Sequence, residues 1–341
     1  MSLFDLPPIW MAPMAGEASS AALVAAVSAG GGFGQLGAAY LTPARITEIA
    51  ADIRARTDQP FGINLFCPQP WLRDDSALDT YLARLAPWHT ELGLSTPARP
   101  ERFEEDFDAQ LEATIAARPA VISFVMGDPG VARVAALKAQ GFTVLGTATQ
   151  VAEGLLLQAS GVDAVIAQGY EGGGHRGGFL GSVEGALIGT MALVPQLVDA
   201  LDVPVIAAGG IADARGVAAA QALGASAVTV GTAFLLVEEC PLSPAYRAAL
   251  LAASDADSTL TRAFSGRLAR GVANRVTREL EGVTLPAFPQ PNAASRPMRQ
   301  AAAKAGNADF ISLWAGQALP VNRAPGTAAE LVAALAKGWH A

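Results

Sequence analysis

The feature that most constrains this chain is an alternation. Short apolar runs rich in β-branched residues are each followed by an alanine-rich stretch of helical length. The runs fall at residues 9–13, 33–36, 61–65, 121–125, 143–146, 164–167, 205–208 and 227–230. They are continuously hydrophobic, the pattern of parallel strands covered on both faces. Helices are expected at 19–29, 43–56, 130–139, 148–159, 191–201 and 214–223. Thr42 followed by Pro43 is a helix-start signal, and Gly30, Gly141, Gly161 and Gly224 stand where helices should stop. An α/β fold of eight βα units closed into a (β/α)8 TIM barrel is the economical reading; a doubly wound open sheet is the alternative.

Two stretches break the rhythm, at residues 67–103 and 238–299. The barrel is then expected from 1–66, 104–237 and 300–341. Insertions that follow the C-terminal ends of barrel strands lie over the active face. These two are expected to form a lid or small substrate-covering domain.

Composition removes several function classes. Hydrophobic residues make up 51% and charged residues 16%, so a large core is available and disorder is excluded. Lys and Arg number 23 against 31 Asp and Glu, a net charge of −8 that repels nucleic acid. Cys67 and Cys240 are too few for a disulfide framework or a thiolate metal site, and no metal is expected. No apolar run approaches the ~20 residues of a membrane span, and no signal peptide is visible. A soluble, cytoplasmic protein is expected.

The motif Gly32-Phe-Gly-Gln-Leu-Gly37 matches the dinucleotide fingerprint GxGxxG in letters only. The fingerprint needs a strand before it and a helix opening within it, whereas here the order is reversed. A better signal lies at the ends of the last two strands, in Gly209-Gly210 and Gly231-Thr232. Glycine lets backbone N–H groups approach a phosphate, and barrel phosphate sites follow strands seven and eight. A helix start near Asp213 and the Thr232 hydroxyl are expected to assist. After strand six, the loop from Gln168 to Gly178 is glycine-rich and presents His175. Imidazole titrates near neutrality and suits general-base work or charge donation. His89 and His340 are expected to be solvated. Residues 12–16 and Asn64 close strands one and three where a ligand's ring could lie, and Cys67 is expected to be a buried bystander. Arg262, Arg267, Arg270 and Arg275 are either an attractor for an anionic substrate or a structural salt-bridge segment.

Taken in order, Ala12-Pro-Met-Ala-Gly16, residues 31–43, Asn64-Leu-Phe66, Gln168…Glu171-Gly-Gly-Gly-His-Arg-Gly177, Ala207–Gly216, Gly231-Thr-Ala-Phe234 and Leu313-Trp-Ala-Gly-Gln317 resemble the nitronate monooxygenase family over nearly the whole chain. The resemblance implies an FMN-dependent barrel. It implies that Met14, Ala15, Gly16 and Asn64 line the flavin ring and that Gln168 reaches the ring or ribityl chain. It further implies that Gly173, Gly174, Gly209, Gly210, Thr229, Val230, Gly231 and Thr232 hold the phosphate end, and that His175 is the catalytic histidine. The implied reaction is oxidation of alkyl nitronates of the propionate 3-nitronate type by O2, giving a carbonyl compound plus nitrite or nitrate. The partners expected are thus a small nitronate and O2, with no nucleic acid or membrane; a homodimer is compatible with the reading. An enoyl-thioester or NAD(P)H:quinone reductase on the same barrel, or a flavin-binding module without turnover, are the alternatives.

Overall fold

A computed structural model of the chain describes residues 3–16, 18–321 and 326–339. Its strands are β1 Ile9–Met11, β2 Gly34–Gly37, β3 Phe61–Phe66, β4 Val121–Val125, β5 Thr143–Ala148, β6 Ala164–Gln168, β7 Gly174–His175, β8 Val205–Ala208, β9 Ala227–Val230, β10 Ser258–Thr261 and β11 Ala269–Val272. Eight of them pair in parallel in the order β1-β9-β8-β6-β5-β4-β3-β2. The two ends of that row meet: Met11 N–H donates to Phe33 O at 3.0 Å and Phe33 N–H to Ile9 O at 2.9 Å. The sheet is therefore a ring, and a helix follows each of its strands, the last being Ala328–Ala336. This is the TIM barrel expected, not the open sheet.

Local differences have simple causes. The first strand stops at Met11, before Pro13, which has no N–H to give a ladder. β5 runs on to Ala148, paired with Ala167, so its helix begins at Val151. Thr42 caps its helix as expected, accepting from Arg45 N–H. At the end of the first helix the left-handed turn is made by Gly31, at φ +85°, while Gly30 is at φ −79°. Gly34 and Gly37 of the false fingerprint lie in β2, where a Cβ would strike Val24 or the Met14–Ala15 backbone. Those glycines serve close packing.

Side chains alternate along each strand, so every second residue faces the barrel axis. Trp10, Phe33, Val121, Leu145, Ile166 and Ile206 belong to an interior cluster of their own, separate from the sheet–helix core. Two residues further along their strands from Phe33, Val121, Leu145, Ile166 and Ala227, the interior turns to Gln35, Ser123, Thr147, Gln168 and Thr229. The barrel is thus plugged with hydrocarbon at the N-terminal end and lined with hydrogen-bonding groups at the C-terminal end.

The two insertions pack on each other above that polar end. Tyr81, in the helix Asp75–Glu91, donates its hydroxyl to Ala263 O at 2.9 Å, and Trp88 Nε1 reaches Glu279 at 3.2 Å. Arg275 joins Glu91 at 2.7 Å and Glu279 at 2.6 Å. β7 leaves the barrel to form a three-stranded antiparallel sheet, β10-β11-β7, with the second insertion. The helix Arg296–Ala305 runs across residue 299, where a boundary was expected. His89 is a correction: it is buried with the apolar face of its helix, its Nδ1 2.8 Å from Ser95 O. His340 lies outside the described residues. No helix among the described residues is long and apolar enough to cross a membrane.

Candidate active site

The loop after β6 has almost no side chains with which to pack, so polar anchors hold it instead. Gln168 donates through Nε2 to His175 O at 3.0 Å and accepts Gly177 N–H at 2.7 Å. Buried Arg176 donates to Gln168 O at 3.1 Å and to Ala186 O at 3.3 Å. Arg267 donates through Nε to Arg176 O at 3.0 Å and through Nη2 to Gly178 O. The buried carboxylate of Glu153 accepts Leu180 N–H at 2.9 Å and Thr149 N–H at 2.7 Å. β7 adds ladder pairing of His175 with Ala269. His175 is therefore presented from a fixed backbone.

Its ring sits among Phe66, Phe288 and Trp314, with centroids 6.2, 5.7 and 5.6 Å away. Nε2 lies 2.9 Å from Ser265 Oγ. That hydroxyl also accepts Arg267 N–H at 3.2 Å and lies 3.1 Å from Arg267 O. A hydroxyl has one proton and two lone pairs. The arrangement satisfying every partner sends the Ser265 proton to Arg267 O and takes Nε2–H into the second lone pair. This leaves Nδ1 with a free lone pair and no protein partner among the described residues. Burial, then the charges of Arg267 and Arg299, lower the His175 pKa to about 3, so the ring is neutral near pH 7. The free protein therefore holds the ring without a permanent positive charge and leaves the Nδ1 lone pair open.

The rims of β8 and β9 form a cradle. Gly209 and Gly210 hold φ of +103° and +73°, and a Cβ on Gly210 would come within 3.3 Å of Glu171. The N–H groups of Gly210, Ile211, Thr232 and Ala233 find no protein acceptor among the described residues. Thr232 Oγ1 accepts Gly316 N–H at 2.8 Å, leaving its own proton to donate. One expectation changes. The helix Ala214–Ala222 does not offer its N-terminus to an anion, because Asp213 already accepts from Arg215 and Gly216 N–H there. Likewise Glu171 occupies the start of Thr190–Ala200, accepting Thr190 N–H at 2.8 Å. The free donors are the amides of the 210–211 loop, those opening the 3-10 turn Thr232–Leu236, and the Thr232 hydroxyl. Gly173 is packed on the 315–316 backbone, while Gly174, at φ +72°, is open. Val230 faces the sheet–helix core and brings only its main chain.

Toward the barrel axis, Asn64 Nδ2 is committed to Ser123 O at 3.1 Å and Oγ at 3.0 Å, which leaves Oδ1 for a ligand. The Met14–Gly16 turn lies over the end of β2, and Gly16 is at φ +84° with open space beside it. Two buried oxygens here have no partner, Gln35 Oε1 and Thr229 Oγ1. Orphaned polar atoms cost of the order of 1–3 kcal/mol each when left dry, so their clustering marks a place for a polar ligand. Gln35, Ser265 and Tyr40 are the functional candidates that sequence reasoning missed.

A cavity of about 1390 Å³ opens beside His175, walled by the two insertions. It runs sideways from Phe66 and Phe288 and does not include the glycine cradle. Arg262, Arg267 and Arg296 line it. The four arginines separate here: Arg262 pairs with Glu184, Arg270 stacks on Tyr170 at 4.3 Å, and Arg275 ties the insertions together. Cys67 also lines the cavity, but burial pushes its thiol up to about 12, which makes it an inert wall. No group of three or more His, Cys, Asp or Glu is placed to hold a metal among the described residues.

Comparison with known proteins gives a consistent picture. A family model described as nitronate monooxygenase matches residues 1–338. A probable nitronate monooxygenase of Staphylococcus haemolyticus is 38% identical over 315 residues, 91% of this chain and 88% of that protein. The crystal structure of nitroalkane oxidase from Streptomyces ansochromogenes superposes with a TM-score of 0.92 at 40% identity, covering 98% of this chain and 96% of that one. FabK from Thermotoga maritima superposes with a TM-score of 0.74 at 28% identity, covering 99% and 94%.

Proposed function

The chain belongs to the nitronate monooxygenase family of flavin-dependent oxidoreductases, and from that premise we propose that it oxidises alkyl nitronates, and nitroalkanes after deprotonation, with FMN and O2. The products are a carbonyl compound and nitrite or nitrate. The observation that carries the reading is His175: a neutral imidazole, its Nε2 held by Ser265 and its Nδ1 free, beside a cavity with a cationic wall.

The residues at the barrel rim fit FMN. The free amides of residues 210–211 and 232–233, with the Thr232 hydroxyl, suit a phosphate. Gly174, Gly209 and Gly231 give backbone access, Gly173 packs the loop against residues 315–316 behind them, and Thr229 and Val230 continue the same wall. Asn64 Oδ1, Gln35, the Met14–Gly16 turn and the remaining donor capacity of Gln168 suit a heteroaromatic ring edge. FMN, when bound, supplies the electron acceptor that the polypeptide lacks. The chain's own part is to bind the carbon acid, take its α-proton at Nδ1, and hold the resulting anion against the arginines. Those cations stabilise the anion, and the anion in turn offsets the arginine charges that oppose protonation of His175, so proton transfer and anion binding support one another.

Two measurements test this. Anaerobic addition of propionate 3-nitronate is expected to change the flavin spectrum of the purified holoenzyme. Bleaching by NADH or NADPH, with indifference to the nitronate, would instead support a reductase. His175→Asn is expected to reduce neutral nitroalkane oxidation at least a hundredfold, within the usual range for a lost general base, and nitronate oxidation far less. Equal losses on both substrates would remove the base assignment.

A further inference from the structure

The cavity is far larger than the proposed reaction's simplest substrates need. A short nitronate displaces the volume of a few waters, at roughly 30 Å³ each, against about 1390 Å³ available. Pockets for whole drug-sized ligands are usually about 300–1,000 Å³. The wall chemistry shows what the excess is for. Beyond Phe66 and Phe288 the lining is mainly apolar, including Trp71, Phe103, Val283 and Leu285. Leu72, also in the lining, is 87% exposed.

The polar groups of the wall are unevenly committed. The carboxylates are engaged: Glu105 pairs with Arg102 at 2.8 Å, Glu104 accepts from Trp71 Nε1 at 2.9 Å, and Asp106 accepts Ala109 N–H at 3.0 Å. Two donors are not. Half-buried Arg296 has no partner among the described residues. The Tyr40 hydroxyl is buried without a hydrogen bond, its ring 5.5 Å from Phe66, which in turn packs on His175. Arg296 acts electrostatically on Tyr40, so the two free donors share one part of the wall, which Phe66 joins to His175.

Resting on the nitronate reading above, we propose that this enzyme's substrates are long-chain alkyl nitronates. Their anionic head binds the Tyr40 hydroxyl and Arg296 guanidinium beside His175, and their alkyl chain lies along Phe103, Val283 and Leu285 toward Leu72. Tyr40 and Arg296 thereby select the charge, and the two insertions together select the length.

The test is a homologous series on the holoenzyme: kcat/KM for the nitronates of nitroethane through 1-nitrodecane, alongside calorimetric binding of n-alkyl carboxylates of two to ten carbons. A buried methylene contributes about fourfold in affinity, so both series are expected to climb about threefold to fourfold per carbon over at least four carbons. Leu285→Glu is expected to flatten the long end of both. Arg296→Met is expected to lower every member about tenfold while leaving the slope. Oxidation of short nitronates with a flat series would overturn the chain-binding proposal and leave the nitronate reading standing. Carboxylates that bind with a rising series, with no nitronate oxidised at any length, would support the alkyl subsite and overturn its assignment to a nitronate head.

Discussion

Ser265 is a single hydroxyl on which the chemistry of His175 depends. By taking Nε2–H it selects the tautomer whose lone pair is on Nδ1, and by bonding Arg267 it fixes its own proton. Removing it forfeits one hydrogen bond to the imidazole, about 1–1.5 kcal/mol, and lets the ring turn or change tautomer. Ser265→Ala is therefore expected to lower kcat/KM for neutral nitroalkanes about tenfold, with a smaller effect on preformed nitronates, and Ser265→Thr to restore most of it. An equal fall on both substrates would mean that Ser265 merely supports the fold. His175 was legible in the sequence because a lone imidazole in a glycine-rich loop has no packing reason to be there. Ser265, Tyr40 and Gln35 were not, because each acquires its role from tertiary neighbours. Ser265 meets a histidine 90 positions earlier. The hydroxyl of Tyr40 and the amide oxygen of Gln35 are informative only because nothing answers them.

Elements show the same division between local pattern and tertiary outcome. The eight strands were readable because continuous burial on both faces demands continuous hydrocarbon, and a run of four or five such residues has few other uses. The helix Asp75–Glu91 went unread although Leu78, Tyr81, Leu82, Leu85 and Trp88 keep helical spacing. Pro87 within it and the Pro- and Trp-rich approach obscured the period. Glycine illustrates the limit best, since one letter pattern serves two purposes. Gly34 in β2 is small because Val24 O stands where its Cβ would go; Gly210 is glycine because its backbone is left-handed, at the cradle proposed for phosphate. The two alanine variants should part accordingly. Gly34→Ala is expected to destabilise the protein by about 1–3 kcal/mol, from overpacking, with or without FMN. Gly210→Ala carries a strain of about 1 kcal/mol at positive φ and moves the amide that faces the anion. It is expected to raise the FMN dissociation constant at least fivefold while shifting the apoprotein's Tm little. A Gly210→Ala protein that lost stability but retained FMN as the parent does would place the phosphate elsewhere.

At the scale of the whole molecule, acid acts on two populations of groups with the same sign. Surface carboxylates such as Glu184, Asp213 and Glu279 are held below their ordinary range, first of all by side-chain hydrogen bonds from Arg262, Arg215 and Arg275. A depressed carboxylate stabilises the fold above its unfolded pKa, and that contribution is lost as pH falls through the folded value. These pairs are exposed, so each contributes little. His175 is different because it is held neutral, half-buried between the barrel and the insertions. Its folded pKa of about 3 lies below the 6.5 of a free imidazole, so between those values the unfolded chain binds the extra proton. Stability therefore falls as pH drops from 6.5 toward 3, with a limiting slope of about 1.4 kcal/mol per pH unit for one proton. In the upper part of that window, pH 6.5 to 4.5, the carboxylates are still largely ionised and His175 dominates. Thermal unfolding of the parent and of His175→Asn separates the two populations. The parent's Tm is expected to decline over that window while the variant's stays nearly level, and both should fall together below pH 4. Parallel curves above pH 4.5 would mean that His175 ionises in the folded protein as it does in water. The imidazole would then be neutral only above about pH 6.5, and nitroalkane oxidation would fall as pH drops through that value rather than near 3.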